Sequence, residues 1–290
     1  MNPLQKTAAF TAALAAVFGA AYGIGAAVGP GSPPPRPAAA HGEGHSAESE
    51  PIHLTPAGLQ VSEGGYTLDL ATRTLPAGRA GTLRFTVRDA HGDPVTAYET
   101  EHTKKLHLIL ASRELTAFRH LHPTRAADGT WSAQVDLPAA GAYRVFADFR
   151  PAGAAEGLTL GSDLTVTGRY TAAAPPPPSA TTSVDGYTVT LGGSLEAGEE
   201  SDLTFTVRRA GEPVQSLQPY LGAYGHLVAL RSGDLAYLHV HPHDEAEEGR
   251  TSGPYISFAA TTPSAGTYRL FLDFKAGGTV HTAAFTVRAR

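Results

Sequence analysis

Hydrophobic positions are distributed along this chain in two different ways. Residues 7–29 form one apolar run of 23 residues without a charge or a proline, and Lys6 precedes it. At about 1.5 Å rise per residue, a helix of this length would span a hydrocarbon core of roughly 30 Å. A lysine on the amino side favours an N-terminus in the cytoplasm. The pattern therefore predicts a cytoplasmic leader and transmembrane signal anchor over residues 1–29, with the membrane as a partner of this helix.

A cleaved signal peptide is the alternative for this segment. Ala38-Ala39-Ala40 before His41 has the small-residue form of a cleavage site. An uncleaved anchor would make the protein single-pass in the cell membrane, and cleavage would make it secreted. Both alternatives predict that the remainder of the chain is extracytoplasmic.

Beyond residue 56 the hydrophobic positions recur in short segments. In the first half these segments alternate or are apolar throughout, are rich in Val, Thr, Phe and Tyr, and are separated by Gly, Pro and Asp. They cover residues 66–70, 83–87, 106–111, 116–122, 131–137, 143–149 and 163–167. Seven short strands in about 110 residues predict an immunoglobulin-like β-sandwich. Tyr143 and Tyr268, each two residues after a glycine, are typical of the tyrosine corner of that fold.

The same pattern occurs twice. Residues 94–123 match residues 213–242 at a constant interval of 119, and residues 137–149 match residues 262–274. Proline-rich stretches separate the copies. The predicted fold class is all-β, with two tandem immunoglobulin-like β-sandwich domains after an N-terminal transmembrane helix or signal anchor. The predicted segments after the anchor are a Pro/His-rich stalk at 30–56, repeat 1 at 57–168, a Pro-rich linker at 169–182 and repeat 2 at 183–290.

Composition limits the chemistry. The net charge is −5, with 22 Lys and Arg against 27 Asp and Glu, so there is no basic field for nucleic acid. With no cysteine and one methionine against 13 histidines, a metal site would have to use imidazole and oxygen ligands. The chain has no G-x-S-x-G, H-E-x-x-H or P-loop motif. We therefore expect no enzymatic activity and no organic cofactor.

Six histidines occupy equivalent places in the two copies. His107, His120 and His122 in the first copy correspond to His226, His239 and His241 in the second, each set in an H-x12-H-x-H-P pattern. A hairpin turning at Arg113-Glu114 would place His107 opposite His120, and one turning at Ser232-Gly233 would place His226 opposite His239. Cross-strand Cβ atoms about 4.5–5.5 Å apart bring such imidazoles within reach of one metal ion.

The pattern thus predicts one divalent-metal site per copy, for Cu(II) first and Zn(II) second. The predicted ligands are Glu101, His102, His107, His120 and His122 in repeat 1, and His226, His239 and His241 in repeat 2. A structural role is the alternative, because the same strand faces carry Ile109, Phe118, Val228 and Tyr237. On that interpretation the imidazoles bond carbonyls, Asp148 or Asp273. His41, Glu43 and His45 of the stalk and His243-Asp244-Glu245 of repeat 2 are interpreted as solvated.

One resemblance adds to this interpretation. The stretches Tyr98-Glu-Thr-Glu-His102-Thr-Lys-Lys-Leu-His107 and Phe118-Arg-His-Leu-His122-Pro resemble bacterial envelope proteins grouped near YtkA-like, FixH-like and copper-handling sandwich domains. The resemblance implies an exported immunoglobulin-like fold and a role in metal homeostasis. The competing hypothesis is a non-catalytic pair of sandwiches without metal, which acts in adhesion or docks to another envelope protein, such as a membrane oxidase or transporter.

Overall fold

The computed structural model describes Phe18 and residues 56–290 apart from 239, 244 and 248. Apart from Phe18 the predicted anchor lies outside the described residues, as does the predicted stalk apart from Pro56. Within the described part, no helix has the length and hydrophobicity needed to cross a membrane. From residue 56 onwards the described chain consists of strands and their connections, as the short alternating segments predict.

Repeat 1 contains ten strands in two five-stranded sheets. One sheet has the order β1-β2-β4-β8-β7, and the other has the order β3-β10-β9-β5-β6. The strands are β1 (Ser62–Glu63), β2 (Tyr66–Leu70), β3 (Thr74–Pro76), β4 (Ala80–Arg88), β5 (His107–Ser112), β6 (Phe118–Leu121), β7 (Thr124–Arg125), β8 (Thr130–Asp136), β9 (Gly141–Phe149) and β10 (Leu158–Thr167).

Repeat 2 repeats this architecture in sheets of six and four strands. The first has the order β11-β12-β13-β18-β17 with β14 on β13, and the second has the order β16-β15-β19-β20. The strands are β11 (Thr181–Val184), β12 (Tyr187–Gly192), β13 (Glu200–Arg209), β14 (Glu212–Pro213), β15 (Gly225–Arg231), β16 (Tyr237–Leu238), β17 (Val240–Pro242), β18 (Tyr255–Thr261), β19 (Gly266–Ala276) and β20 (Thr279–Ala289).

Each repeat has its own hydrophobic core between its sheets. Phe85, Trp131 and Phe149 are buried in the first core, and Phe205 and Phe258 are buried in the second. These side chains come from alternate positions of facing strands, because side chains in a strand point to opposite faces in turn. The two cores confirm the predicted all-β fold of tandem sandwiches.

The tyrosine corner is present in both repeats. The Tyr143 hydroxyl donates to the carbonyl of Ala139 at 3.0 Å, and the Tyr268 hydroxyl donates to the carbonyl of Ser264 at 2.8 Å. Both bonds return to the backbone four residues upstream, as the resemblance to immunoglobulin-like strands predicts. All seven strands predicted in repeat 1 are also present. The pattern missed β1, β3 and β7, because two or three residues are too few to show alternation.

The predicted hairpin register is wrong by two residues. His120 pairs with Ile109, not with His107, and the chain turns at Glu114-Leu115. The reason is a longer turn in which the Ser112 amide donates to the carbonyl of Ala117 at 2.9 Å and the Ser112 hydroxyl accepts the amides of Thr116 and Ala117. A shift of two residues keeps each side chain on its original face, so the imidazoles still share a face.

The hairpin of repeat 2 is shorter than that of repeat 1, and its predicted register is wrong by the same two residues, since the chain turns at Gly233-Asp234 and not at Ser232-Gly233. Only Tyr237 and Leu238 pair with β15, with Leu238 opposite Ala229. The chain then changes sheets, and His241 of β17 pairs with Ala259 of β18. The backbone of His241 therefore lies in the other sheet from that of His226. His239 lies outside the described residues.

The two repeats pack against each other through the β5 and β15 sheets, within one compact unit, His53–Arg290. All six residues of β5 are buried, because Leu108 and Leu110 face the core of repeat 1 while Ile109 and Ala111 face repeat 2. Strand β15 alternates in the same way, with Leu227 and Ala229 in the core of repeat 2 and Val228 and Leu230 facing repeat 1. A third hydrophobic cluster lies between the repeats and consists of Ile109, Ala111, Leu115, Phe146, Val228, Leu230, Leu235, Tyr237 and Phe271.

This interface has approximate two-fold symmetry. Phe118 of repeat 1 stacks on Phe271 of repeat 2 with ring centroids 4.0 Å apart. The equivalent residues under the duplication, Tyr237 and Phe146, also contact each other, at 5.7 Å. Each repeat thus uses the same surface toward the other, as in an isologous dimer.

Candidate metal centre

Five imidazoles converge at the end of this interface. Repeat 1 supplies His102 from the loop before β5, His107 at the start of β5, and His120 and His122 from and just after β6. Repeat 2 supplies His226 of β15. The rings of His107 and His226, which are equivalent under the duplication, stack at 5.2 Å between centroids. The two strand faces that the sequence assigns to separate sites therefore meet in one place.

Three of these imidazoles form the centre of the group. Ring nitrogens of His107, His120 and His226 all lie within 4.8 Å of one another. Their ring centroids are 4.7 to 5.4 Å apart. His122 lies 4.9 Å from His120 and 5.2 Å from His107, and His102 lies 5.6 Å from His226, again between centroids.

A hydrogen-bonded chain orients two of the central rings. His107 Nε2 lies 3.2 Å from the carbonyl oxygen of Glu101, and His107 Nδ1 lies 3.1 Å from His120 Nε2. His120 Nδ1 lies 2.8 Å from Asp273 Oδ2, and the Thr282 hydroxyl donates to Asp273 Oδ1 at 2.6 Å. The side chains of His120 and Asp273 are only 1% and 4% exposed, so the contact between the repeats is cut off from water.

These contacts fix the tautomers. A carbonyl oxygen only accepts, so His107 Nε2 is the donor to Glu101, and a carboxylate acceptor at Asp273 assigns the hydrogen of His120 to Nδ1. In the neutral imidazoles the facing atoms, His107 Nδ1 and His120 Nε2, then both present lone pairs at 3.1 Å. Two facing lone pairs at that distance repel each other, and a cation between or beside them would remove the repulsion. That cation is either a proton or a metal ion.

Two further ring nitrogens of the cluster are buried without a hydrogen-bond partner among the described residues. They are His122 Nε2 and His226 Nδ1. Buried polar atoms in folded proteins nearly always have a partner, so such atoms indicate a missing ion or water. Two unpaired ring nitrogens in one cluster of imidazoles are suited to bind a metal ion, which accepts lone pairs.

Burial keeps most of these rings neutral. It lowers the pKa of His107 to about 3, with His120 as the next cause, and that of His122 to about 4. Burial also lowers the pKa of His226 well below its usual value. Metal ions bind the neutral ring, so depressed pKa values favour a metal ion over protons.

The structure brings together only some of the predicted ligands. His102, His107, His120, His122 and His226 converge, in one cluster rather than in the two that the hairpins predict. The carboxylate of Glu101 lies 3.4 Å from Arg150, while its carbonyl contacts His107. His241 is exposed on β17. Of the second predicted triad, His226 faces repeat 1 and His241 lies on the other sheet, while His239 lies outside the described residues.

Thr282 and Tyr220 are the parts of the cluster that the sequence did not predict, whereas Asp273 was named as a partner of the imidazoles on the structural alternative and does contact His120. Asp273 follows the tyrosine corner on β19 and is opposite His226 in the register. The ring of Tyr220 lies 6.4 Å from that of His122, and burial raises the pKa of its hydroxyl to about 12. The recurrence of aspartate at positions 148 and 273, next to the histidine strand, was the available signal for Asp273.

The depressed histidine pKa values predict acid sensitivity of the metal-free protein. A histidine with a lowered pKa binds fewer protons in the folded chain than in the unfolded chain. Its contribution to stability is therefore complete above about pH 6.5 and is lost as the pH falls toward the folded values near 3 and 4. We expect the urea midpoint, followed by fluorescence of the single Trp131 in EDTA, to decrease steadily below pH 6.5.

His107→Gln should flatten this pH dependence, since it removes a ring whose charging opposes folding. The matched control is His91→Asn, which changes an exposed histidine outside the cluster and should retain the wild-type slope. A midpoint that does not change between pH 7 and pH 5 would contradict the prediction.

Comparison with known proteins identifies related domains. A family model described as a domain of unknown function (DUF8832) matches residues 60–165 and again residues 182–290. No curated protein matches the chain. The resemblance to YtkA-like and FixH-like domains stays a prediction.

Several solved structures of bacterial surface proteins resemble the chain at low similarity. The Escherichia coli adhesin FdeC is 18% identical with a TM-score of 0.26, and the match covers 78% of this chain and 65% of that one. The Yersinia pseudotuberculosis adhesin InvE is 15% identical with a TM-score of 0.25, and the match covers 80% and 60%. Domains 5-6 of the S-layer protein SbsC are 13% identical with a TM-score of 0.23, and the match covers 77% and 95%.

The chain thus spans less than two thirds of the FdeC and InvE chains, and TM-scores this low carry no functional argument. The family match, by contrast, covers well over half of the chain and coincides with the strands of the two sandwiches. The chain belongs to the DUF8832 family, with two copies of its domain in tandem.

Proposed function

We propose that this protein binds one Cu(II) or Zn(II) ion per chain at the cluster between its repeats. His107 Nδ1, His120 Nε2 and a ring nitrogen of His226 are the central ligands, and His122 Nε2 is the fourth. The observation that supports this most directly is the 3.1 Å approach of His107 Nδ1 and His120 Nε2, whose opposite nitrogens are both committed to oxygen acceptors.

The distances fit such an ion. Metal–nitrogen bonds are about 2.0–2.1 Å long, so two nitrogens on one tetrahedral ion are about 3.3 Å apart. The 3.1 Å between His107 Nδ1 and His120 Nε2 is already close to that value. The nitrogen of His226, within 4.8 Å of both, needs only a small ring movement.

The surroundings also suit a metal ion. Asp273 accepts from the outer nitrogen of His120, and the Glu101 carbonyl accepts from that of His107. Such partners fix the tautomer and increase the basicity of ligand imidazoles. Neutral imidazoles without thiolate or thioether ligands favour Cu(II) and Zn(II) over Cu(I). The predicted N-terminal anchor would place this site outside the cytoplasm, consistent with a role in metal homeostasis.

A second candidate function is purely structural. The buried bond of 2.8 Å between His120 and Asp273 joins the repeats directly, and a proton on His120 would also separate the facing lone pairs. The cluster would then hold the two sandwiches together without metal. This agrees with the alternative hypothesis of a non-catalytic pair of sandwiches that acts in adhesion or docking. Metal titration distinguishes the two functions.

The test is calorimetric titration of the full chain with Cu(II) and with Zn(II), in the presence of a weak competing chelator that suppresses binding by His41 and His45. We expect one ion per chain with a Kd below about 1 µM, which corresponds to about 8 kcal/mol. His91→Ala should bind identically. Two equivalent ions would indicate separate sites in each repeat, and no binding above the chelator background would support the structural function.

A further inference from the structure

A cavity of about 200 Å³ opens beside the metal centre. Its polar lining comes from both repeats and consists of Glu101, His102, His107, Asp148, His226 and His241. Two of the central ligands, His107 and His226, therefore face the cavity, whereas His120 and His122 do not line it. The cavity touches the centre from one side only.

The lining suits a cation. It offers two carboxyl groups and four imidazoles, and none of the described residues that line it is a lysine or an arginine. The carboxylate of Glu101 is 3.4 Å from Arg150, so the lining attracts a divalent ion through its oxygen and nitrogen ligand atoms and not through a net negative charge. A divalent ion that enters this cavity meets oxygen and nitrogen ligands before it reaches the buried rings.

His102 is the exposed imidazole of the cluster and lies between solvent and the two rings that face the cavity. Its ring centroid is 6.0 Å from that of His107 and 5.6 Å from that of His226. The ring of His102 contacts these two rings, on the cavity side of the cluster. His102 is thus placed to bind an ion that has not yet reached His120.

The backbone at His102 has an unfavourable conformation. Residues 101–104 form a turn in which the amides of Glu101 and Lys104 donate to each other's carbonyls, and both central residues have positive φ, 48° for His102 and 66° for Thr103. Such turns strongly prefer Asn-Gly. The turn fixes the position of the His102 side chain relative to the start of β5.

The equivalent turn of repeat 2 has the same backbone conformation, so the positive φ belongs to the turn and the two repeats differ in the side chain that it carries. Residues 220–223 make the same pair of hydrogen bonds, with Leu221 at φ 57° and Gly222 at φ 82°. Gly222 adopts this conformation without strain, and Leu221 is an apolar part of the cavity wall. Only repeat 1 places an imidazole at this position.

We propose that the cavity is the route by which the metal ion reaches the centre, and that His102 is the ligand that receives it from water and transfers it to His107 and His226. This inference rests on the proposed metal function. Stepwise exchange through His102 lets the ion replace its water ligands one at a time. His102 then affects the rates of loading and release more than the affinity.

The test compares Cu(II) exchange in the full chain and in His102→Asn, since asparagine tolerates the left-handed turn. Stopped-flow absorbance measures association, and transfer to excess EDTA measures dissociation. We expect both rates to fall by about tenfold or more, while the Kd changes by less than about threefold, below 1 kcal/mol. Thr103→Gly, which keeps the imidazole and relieves the turn, should retain wild-type rates.

Three results would overturn the inference. Unchanged rates in His102→Asn would make His102 a bystander, and a faster dissociation with weaker affinity would make it an ordinary ligand. Equal slowing in Thr103→Gly would assign the effect to the turn. Absence of Cu(II) binding by the wild-type chain would instead reject the proposed function itself, so the two failures are distinguishable.

Discussion

The variant His120→Asn is expected to lose tight metal binding while keeping the contact between the repeats. The asparagine amide nitrogen can replace His120 Nδ1 as the donor to Asp273, but nothing in asparagine replaces Nε2. A four-ligand zinc site binds with about 10–16 kcal/mol, so one ligand contributes about 3 kcal/mol. Loss of that amount weakens the Kd by roughly 100- to 1,000-fold.

The measurement is Cu(II) and Zn(II) titration of the full chain, with the urea midpoint in EDTA as the check on folding. His91→Ala is the matched control, because it removes an exposed histidine from the same repeat. Wild-type affinity in His120→Asn would show that Nε2 is not a ligand. The central pair would then be a proton-sharing clamp.

Asp273→Ala is expected to have the largest effect on stability. The change leaves His120 Nδ1 and the Thr282 hydroxyl without their acceptor in a buried place. Breaking a buried bond of this kind costs about 2–4 kcal/mol. Loss of the outer partner of a ligand histidine also weakens metal binding by about 10–100-fold.

Fluorescence of Trp131 makes this test specific to the contact between repeats. The single tryptophan is buried in the core of repeat 1, whereas Asp273 belongs to repeat 2. If the His120–Asp273 bond couples the repeats, Asp273→Ala lowers the urea midpoint reported by Trp131 in EDTA. A change confined to repeat 2 would leave that midpoint unaltered and contradict the coupling.

A second histidine–aspartate pair provides the matched control. His281 Nδ1 lies 2.8 Å from Asp185 Oδ2, the same distance as in the His120–Asp273 pair, but both residues belong to repeat 2 and the Asp185 side chain is 62% exposed. Exposed pairs contribute at most about 1 kcal/mol. Asp185→Asn, which removes the charge but tolerates the positive φ of 48° at this position, should therefore change neither the Trp131 transition nor metal binding.

The local pattern of hydrophobic and polar residues predicted the fold well, because each sandwich is specified by the alternation of these residues along its own strands. The seven predicted strands of repeat 1 and the tyrosine corners follow from side chains and turns that are close in sequence. The hairpin register was wrong by two residues because the Ser112 side chain stabilises a longer turn, which residue types alone do not reveal. The face of each histidine survived that error, since a shift of two preserves the side-chain period.

The sequence predicted most of the histidines of the candidate site. It did not predict that histidines from both repeats meet in one cluster. The interval of 119 residues identifies His107 and His226 as equivalent, and a strand face that carries Ile109 beside His107 already indicates an interface. Neither observation specifies what covers that face. Strand alternation is a property of one segment, whereas the partner of an apolar face depends on how two separately folded sheets pack.

The sequence by itself determined that the chain contains two copies of one β-sandwich and that imidazole is its main candidate ligand. Only the tertiary structure decided that the imidazoles of repeat 1 and His226 of repeat 2 form one cluster. Because the repeats pack through equivalent faces, His107 meets His226 near the pseudo-two-fold axis, and Asp273 of one repeat orients His120 of the other. The turn at His102 then makes the two sides of the centre unequal, since the equivalent position in repeat 2 is Leu221.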